Sequence, residues 1–120
     1  MGKYKIHKNK LTKYHPSVFV SITIDRKWEN IEITSSPTKT GKYVKLSKNP
    51  NPSTPDKDAW FRKYLRKDPL RAIGEEYVNY CLSYEDEAKI DSFLIEHRRN
   101  KQYLVKTRCN LAKRGKKKTR

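Results

Sequence analysis

The chain has 120 residues, of which 34% are hydrophobic and 35% charged, and its 29 Lys and Arg against 13 Asp and Glu give a formal charge of +16. That length suits one ordinary domain with a lean core, and the charge asks for an anionic partner, nucleic acid first and an anionic membrane surface second. No apolar run approaches the roughly 20 residues of a membrane span, and MGKYKIHKNKLTKYHP is basic without the apolar stretch of a secretory leader.

The N-terminal residues read as a basic arm in which His7 is solvated. His15 precedes Pro16, which holds it in extended backbone at the entry to the first good strand. Residues 17–24 (SVFVSITI) are β-branched and aromatic, and alternation places Val18, Val20, Ile22 and Ile24 on one face. Asp25-Arg26-Lys27 is a polar turn. Residues 28–35 resume the alternation, with Ile31 and Ile33 on one face and Glu32 and Thr34 on the other. Two strands this close in sequence predict an antiparallel hairpin.

Residues 36–42 (SPTKTGK) are a loop by composition, and Tyr43 to Leu46 is a short third strand. Asn49 to Pro55 (NPNPSTP) is a stiff connector, because each proline removes a donor and restricts the residue before it. Residues 58–66 (DAWFRKYLR) fit a helix or a strand equally. Asp68-Pro69 marks a break, Leu70 to Ile73 a helical turn ended by Gly74, and Tyr77 to Leu82 a strand or extended segment.

Residues 83–98 carry the clearest helical pattern. Ser83 is an N-cap, and Asp86 is placed to return a bond to its amide. Three acids occupy the first turn, where the dipole favours them. Ile90, Phe93, Leu94 and His97 form one stripe. From Arg99 to Arg120 ten Lys or Arg occur without an acid, leaving 19 bases against 13 acids, or +6, in residues 1–98. This divides the chain into a domain over 1–98 and a basic tail over 99–120, which reads as disordered.

Cys81 and Cys109 have no CxxC or paired-His context, so they read as thiols in a reducing, cytoplasmic compartment, with no zinc site. The segment 33–42 offers hydroxyls and ammonium groups at a strand end, but it lacks GxxxxGK[ST] and is no nucleotide-binding P-loop. No carboxylate cluster of the kind a Mg²⁺-dependent nuclease wants stands out, so neither metal nor cofactor is expected.

Five pieces in order carry a resemblance: His15-Pro16 opening the strand Ser17-Val18-Phe19-Val20; Ile31-Glu32-Ile33-Thr34-Ser35; Tyr43-Val44-Lys45-Leu46; Lys63-Tyr64-Leu65-Arg66-Lys67-Asp68; and Leu82-Ser83-Tyr84-Glu85-Asp86-Glu87 leading into the helix. Over about Tyr14 to Leu94 the chain resembles the MazF/PemK-like plasmid-maintenance toxins. The family's opening basic-Gly-Asp strand is not found in residues 1–14, and His15 stands where the family has its catalytic Arg.

The resemblance implies an α+β fold: a small SH3-like antiparallel β-barrel with a C-terminal amphipathic helix, here followed by the basic tail. It implies a metal-independent endoribonuclease acting on single-stranded RNA, a homodimer, and an acidic antitoxin as partner. Cleavage of this kind needs a base, an acid and donors for the phosphorane charge. His15 and Thr34 are the candidate catalytic residues, neighbours if one begins a strand and the other ends its hairpin partner. Arg26, Lys27, Ser35, Lys39, Lys42 and Arg66 are the candidate RNA-binding residues. The competing reading is a non-catalytic RNA- or DNA-binding small β-barrel, of a ribosome-associated or phage or plasmid accessory type. A membrane-surface module ranks last, because the tail lacks an amphipathic basic helix with aromatic anchors.

Deleting residues 99–120 is expected to lower the salt dependence of RNA binding substantially, since each phosphate contact releases counterion. Titrations of the full-length and truncated proteins at several salt concentrations check this. Equal slopes would mean that the tail does not touch the nucleic acid.

Overall fold

The computed structural model describes residues 2–12 and 15–100. It is α+β: an antiparallel sheet, seven-stranded among the described residues, and a C-terminal helix, α1, over residues 84–100. The strands are β1 (Ile6–Asn9), β2 (Pro16–Ile22), β3 (Lys27–Thr34), β4 (Tyr43–Lys45), β5 (Trp60–Arg62), β6 (Arg66–Pro69) and β7 (Ile73–Glu76). A 3₁₀ turn, Leu70–Ala72, joins β6 to β7. Among the described residues no helix is long and apolar enough to cross a membrane. Chain contacts divide the molecule at Lys89/Ile90, inside α1, into two compact units.

The sheet order is β4-β5-β3-β2-β1-β7, with β6 also on β3. β3 is long enough to hold two partners on one edge: Lys27 to Asn30 face β6, and Ile33 and Thr34 face β5. β4 therefore pairs with β5 and not with its sequence neighbour β3. No ladder joins β6 to β7 among the described residues, so the pairing does not close into a barrel.

The β2–β3 hairpin forms as its alternation predicts, and Val18 and Ile31 face each other fully buried. The register then slips between Phe19 and Ser21. A bulge at this point resets which side chains face inward. Ile22 and Ile24 are consequently 51% and 104% exposed, which overturns the continuous apolar face expected over 18–24. The turn closes with Arg26 in the left-handed region at φ 61°.

Residues 6–9 hold a strand that the basic arm conceals. β1 pairs with β2 on one side and β7 on the other, so it is internal to the sheet. His7 is half-buried, its ring against Phe19 and Trp28 and its Nδ1 2.9 Å from the Gly74 carbonyl oxygen. Gly74 is required here, because a Cβ would lie 2.7 Å from the Lys8 carbonyl oxygen. The ambiguous segment 58–66 resolves as β5 and the start of β6, whereas 77–82 is turn and extended chain without a ladder.

Asn9 is fully buried on β1, and its amide donates to Asp68 Oδ2 (3.1 Å) on β6 and Asn30 Oδ1 (3.2 Å) on β3. Asn30 also donates to Asp68 Oδ2 at 2.9 Å, and Arg66 donates to both carboxylate oxygens at 3.1 Å. Neighbouring strands lie about 4.8 Å apart, so a flat sheet would hold β1 and β6, three spacings apart, about 14 Å from each other. Side chains from these strands meet, so this part of the sheet is strongly curled.

Residues 90–100 complete α1. Ile90, Phe93 and Leu94 are buried as the stripe predicts, and His97 is half-buried with its ring 6.0 Å from Phe93. The helix includes residues 99 and 100, which the domain boundary at 98 assigns to the tail. Residues 101–120, the rest of that tail, lie outside the described residues.

Burial alone would push the Asp68 carboxyl up, but hydrogen bonds from Arg66, Asn30 and Asn9, with the Arg66 charge, hold it below the usual range. A folded-state value below the unfolded one means that the unfolded chain binds the extra proton in acid. This contribution is full above the ordinary Asp value of about 3.9 and is lost as pH falls through the lower folded-state value. Asp68→Ala is expected to cost about 2–3 kcal/mol near neutral pH, as for loss of a buried charged acceptor. Urea unfolding from pH 7 down to pH 3 checks this. The variant should lose less stability on acidification than the wild type.

Candidate functional site

β2 begins where β3 ends. The pairing of Ser17 with Glu32 continues outward to place His15 and Thr34 at the same end of the hairpin. His15 is held by its following proline and by the Thr12 hydroxyl, which donates to its carbonyl oxygen at 3.1 Å. Thr34 is 4% exposed, and its Oγ1 accepts the Ser36 N–H at 3.0 Å, turning the chain away from β3. His15, Pro16, Ile33, Thr34 and Ser35 form one wall of a cleft of about 380 Å³.

The rest of the lining is the Asn49-Pro50-Asn51 segment with Thr54, Lys57, Ala59 and Tyr80. Local chemistry stiffens it. Asn49 Nδ2 donates to the Thr54 carbonyl oxygen (2.8 Å) and Oγ1 (3.2 Å), and its Oδ1 accepts the Asn51 N–H (3.0 Å). Asn51 Oδ1 accepts the Ser53 N–H at 2.9 Å, and the buried Pro50 accepts from Cys81 N–H at 3.2 Å. These are the side-chain-to-backbone bonds that Asn forms in turns.

The first turn of α1 braces the wall from below. Ser83 Oγ accepts the Asp86 N–H at 3.2 Å, as an N-cap should. The Asp86 carboxylate, fully buried, does not return to Ser83. It accepts Ser47 N–H at 2.7 Å and Lys48 N–H at 3.2 Å, the two residues that lead into the Asn-Pro segment.

The cleft presents groups suited to a polar ligand. The His15 imidazole, the Tyr80 hydroxyl and the Lys57 ammonium form no hydrogen bond or ion pair with the described residues. Burial, and secondarily Tyr77, pushes the Tyr80 phenol above its usual range, so it is a donor at neutral pH. No Asp or Glu lines the cleft, and among the described residues no three His, Cys, Asp or Glu side chains converge as a metal site would need.

The structure therefore brings together His15, Thr34 and Ser35. Arg26 and Lys27 are exposed at the far end of the hairpin, about 20 Å away for a strand of this length. Arg66 is committed to Asp68 in the buried cluster. That contact raises the pKa of its guanidinium. Lys39 and Lys42 lie exposed on the loop after β3 and do not line the cleft. Sequence reading missed Lys57, Asn51 and Tyr80. The signal available was the Asn-Pro repeat, whose composition encodes a rigid wall as readily as a connector.

No family model, curated protein or solved structure matches the chain.

Proposed function

We propose that the chain is a metal-independent endoribonuclease of the MazF/PemK-like kind, cutting single-stranded RNA in the His15–Thr34 cleft of an SH3-like fold. The fold reading is supported by the curled run β7-β1-β2-β3-β6, whose two outer strands are consecutive in the chain and joined by the 3₁₀ turn. The observation that carries the activity is that His15, Thr34, Ser35 and Lys57 line one cleft that no Asp or Glu lines.

Each group has a task in transesterification. The ribose 2′-oxygen attacks phosphorus, a P–O bond forms to give a 2′,3′-cyclic phosphate, and the bond to the 5′-oxygen breaks. His15 takes the 2′-hydroxyl proton or supplies the proton to the leaving 5′-oxygen, and water exchanges the other. Thr34 and Ser35 donate to the non-bridging oxygens, and Lys57 offsets the charge that develops on them. A homodimer and an acidic protein partner that covers the cleft belong to the same reading.

Incubating RNA with the protein in EDTA, and analysing the new ends, tests it. Fragments ending in cyclic phosphate are expected. His15→Ala should slow cleavage by about 10²–10⁴-fold, as for loss of a general acid or base. RNA affinity should stay within a few-fold, and Thr34→Ala should fall between the two. RNA left intact by the wild type would favour a non-catalytic binding protein.

A further inference from the structure

Charge and proton transfer explain how this cleft would treat a phosphate, but not why Tyr80 is there. Its ring stacks on Tyr77, with centroids 4.7 Å apart and planes 20° from parallel. Tyr77 does not line the cleft and covers one face of Tyr80, which itself lines both this cleft and a second cavity beside Gly2, Tyr4 and Ile6. A half-buried tyrosine ordinarily gives its hydroxyl a partner, yet this one has none among the described residues. Beside it, Asn51 spends Oδ1 on Ser53, and its Nδ2 makes no hydrogen bond to the described residues.

We infer that Tyr80 and Asn51 form a subsite for one unpaired nucleobase, Tyr80 stacking on its face and Asn51 donating to its edge. The inference rests on the reading of the cleft as an RNA site and names what that site selects. Stacking on an aromatic ring combined with an amide at the base edge is how single-stranded RNA is read. Lys57 and His15 line the same cleft, in reach of the flanking phosphate, and about 380 Å³ lies within the range of small-ligand sites. The pinned Asn-Pro wall holds Asn51 before the ligand arrives, so little ordering is lost on binding. Paired RNA keeps its bases stacked within the duplex and cannot use this subsite.

The test uses the full chain carrying His15→Ala, so that RNA stays whole, and a short single-stranded RNA with one 2-aminopurine. Binding should quench the 2-aminopurine fluorescence. Adding Tyr80→Phe should preserve the quench, and adding Tyr80→Leu should abolish it. Tyr80→Leu should weaken binding roughly five- to hundredfold, the range for loss of one stacked base. The salt slope should not change, because no phosphate contact is removed. A quench that survives Tyr80→Leu, or no quench with the parent protein, overturns the subsite.

A second measurement needs no substitution at Tyr80. Light-induced crosslinking of a 5-iodouridine RNA should map to Tyr80, and a crosslink confined to other residues overturns the proposal. Cleavage without a Tyr80-dependent quench would remove the subsite and keep the nuclease. A Tyr80-dependent quench without cleavage would do the reverse.

Discussion

The carboxylate of Asp68 is the constraint on which the curled sheet depends. It lies on β6 but is reached from β1 by Asn9, from β3 by Asn30 and along its own strand by Arg66. A buried charge is costly unless each lone pair is occupied. Here four donor contacts, two from the guanidinium and one from each amide, reach the carboxylate, three at Oδ2 and one at Oδ1. The Asn9 contact exists only when strands three spacings apart in the sheet are folded toward one another. The same curl carries the chain through the 3₁₀ turn into β7, which returns to pair with β1. In a chain with a lean core, this polar cluster specifies the register that apolar burial alone would leave loose.

A second buried carboxylate builds the cleft from that frame. Asp86 at the start of α1 takes the amides of Ser47 and Lys48, and the segment that follows is closed by Asn49 and Asn51 on their own loop. The hairpin supplies the other wall, since the start of β2 and the end of β3 are adjacent by register. The cleft is thus a consequence of one hairpin end facing one braced loop. The His15, Lys57 and Tyr80 side chains are left unengaged by the described residues while the surrounding backbone is heavily bonded, the combination a binding or catalytic site requires.

The sequence made the elements with a clear period legible. The β2–β3 hairpin, the α1 stripe and the Ser83 cap follow from alternation, 3.6-residue spacing and capping chemistry. The pairing of His15 with Thr34 in one cleft was also legible, because hairpin register is local. β1 was not, since its only apolar residue is Ile6 and its other buried residue, Asn9, is justified by partners 21 and 59 positions away. The fate of Arg66 was not legible for a related reason: Asp68 stands two residues away on the same strand, but its burial is set by Asn9 and Asn30 on distant strands. Tyr80 escaped because two tyrosines in an extended run carry no clear period, and the cleft it lines is completed by a loop some 30 residues earlier.

On the proposed reading, RNA is bound in the cleft between the hairpin end and the Asn-Pro wall. NMR chemical-shift mapping with a 2′-O-methyl single-stranded RNA, which cannot be cleaved by 2′-oxygen attack, tests it most directly. The largest shifts are expected on His15, Thr34, Ser35, Asn51, Lys57 and Tyr80, with Arg26 and Lys27 little changed. Shifts centred on the Arg26–Lys27 turn, with the cleft residues unmoved, would contradict it.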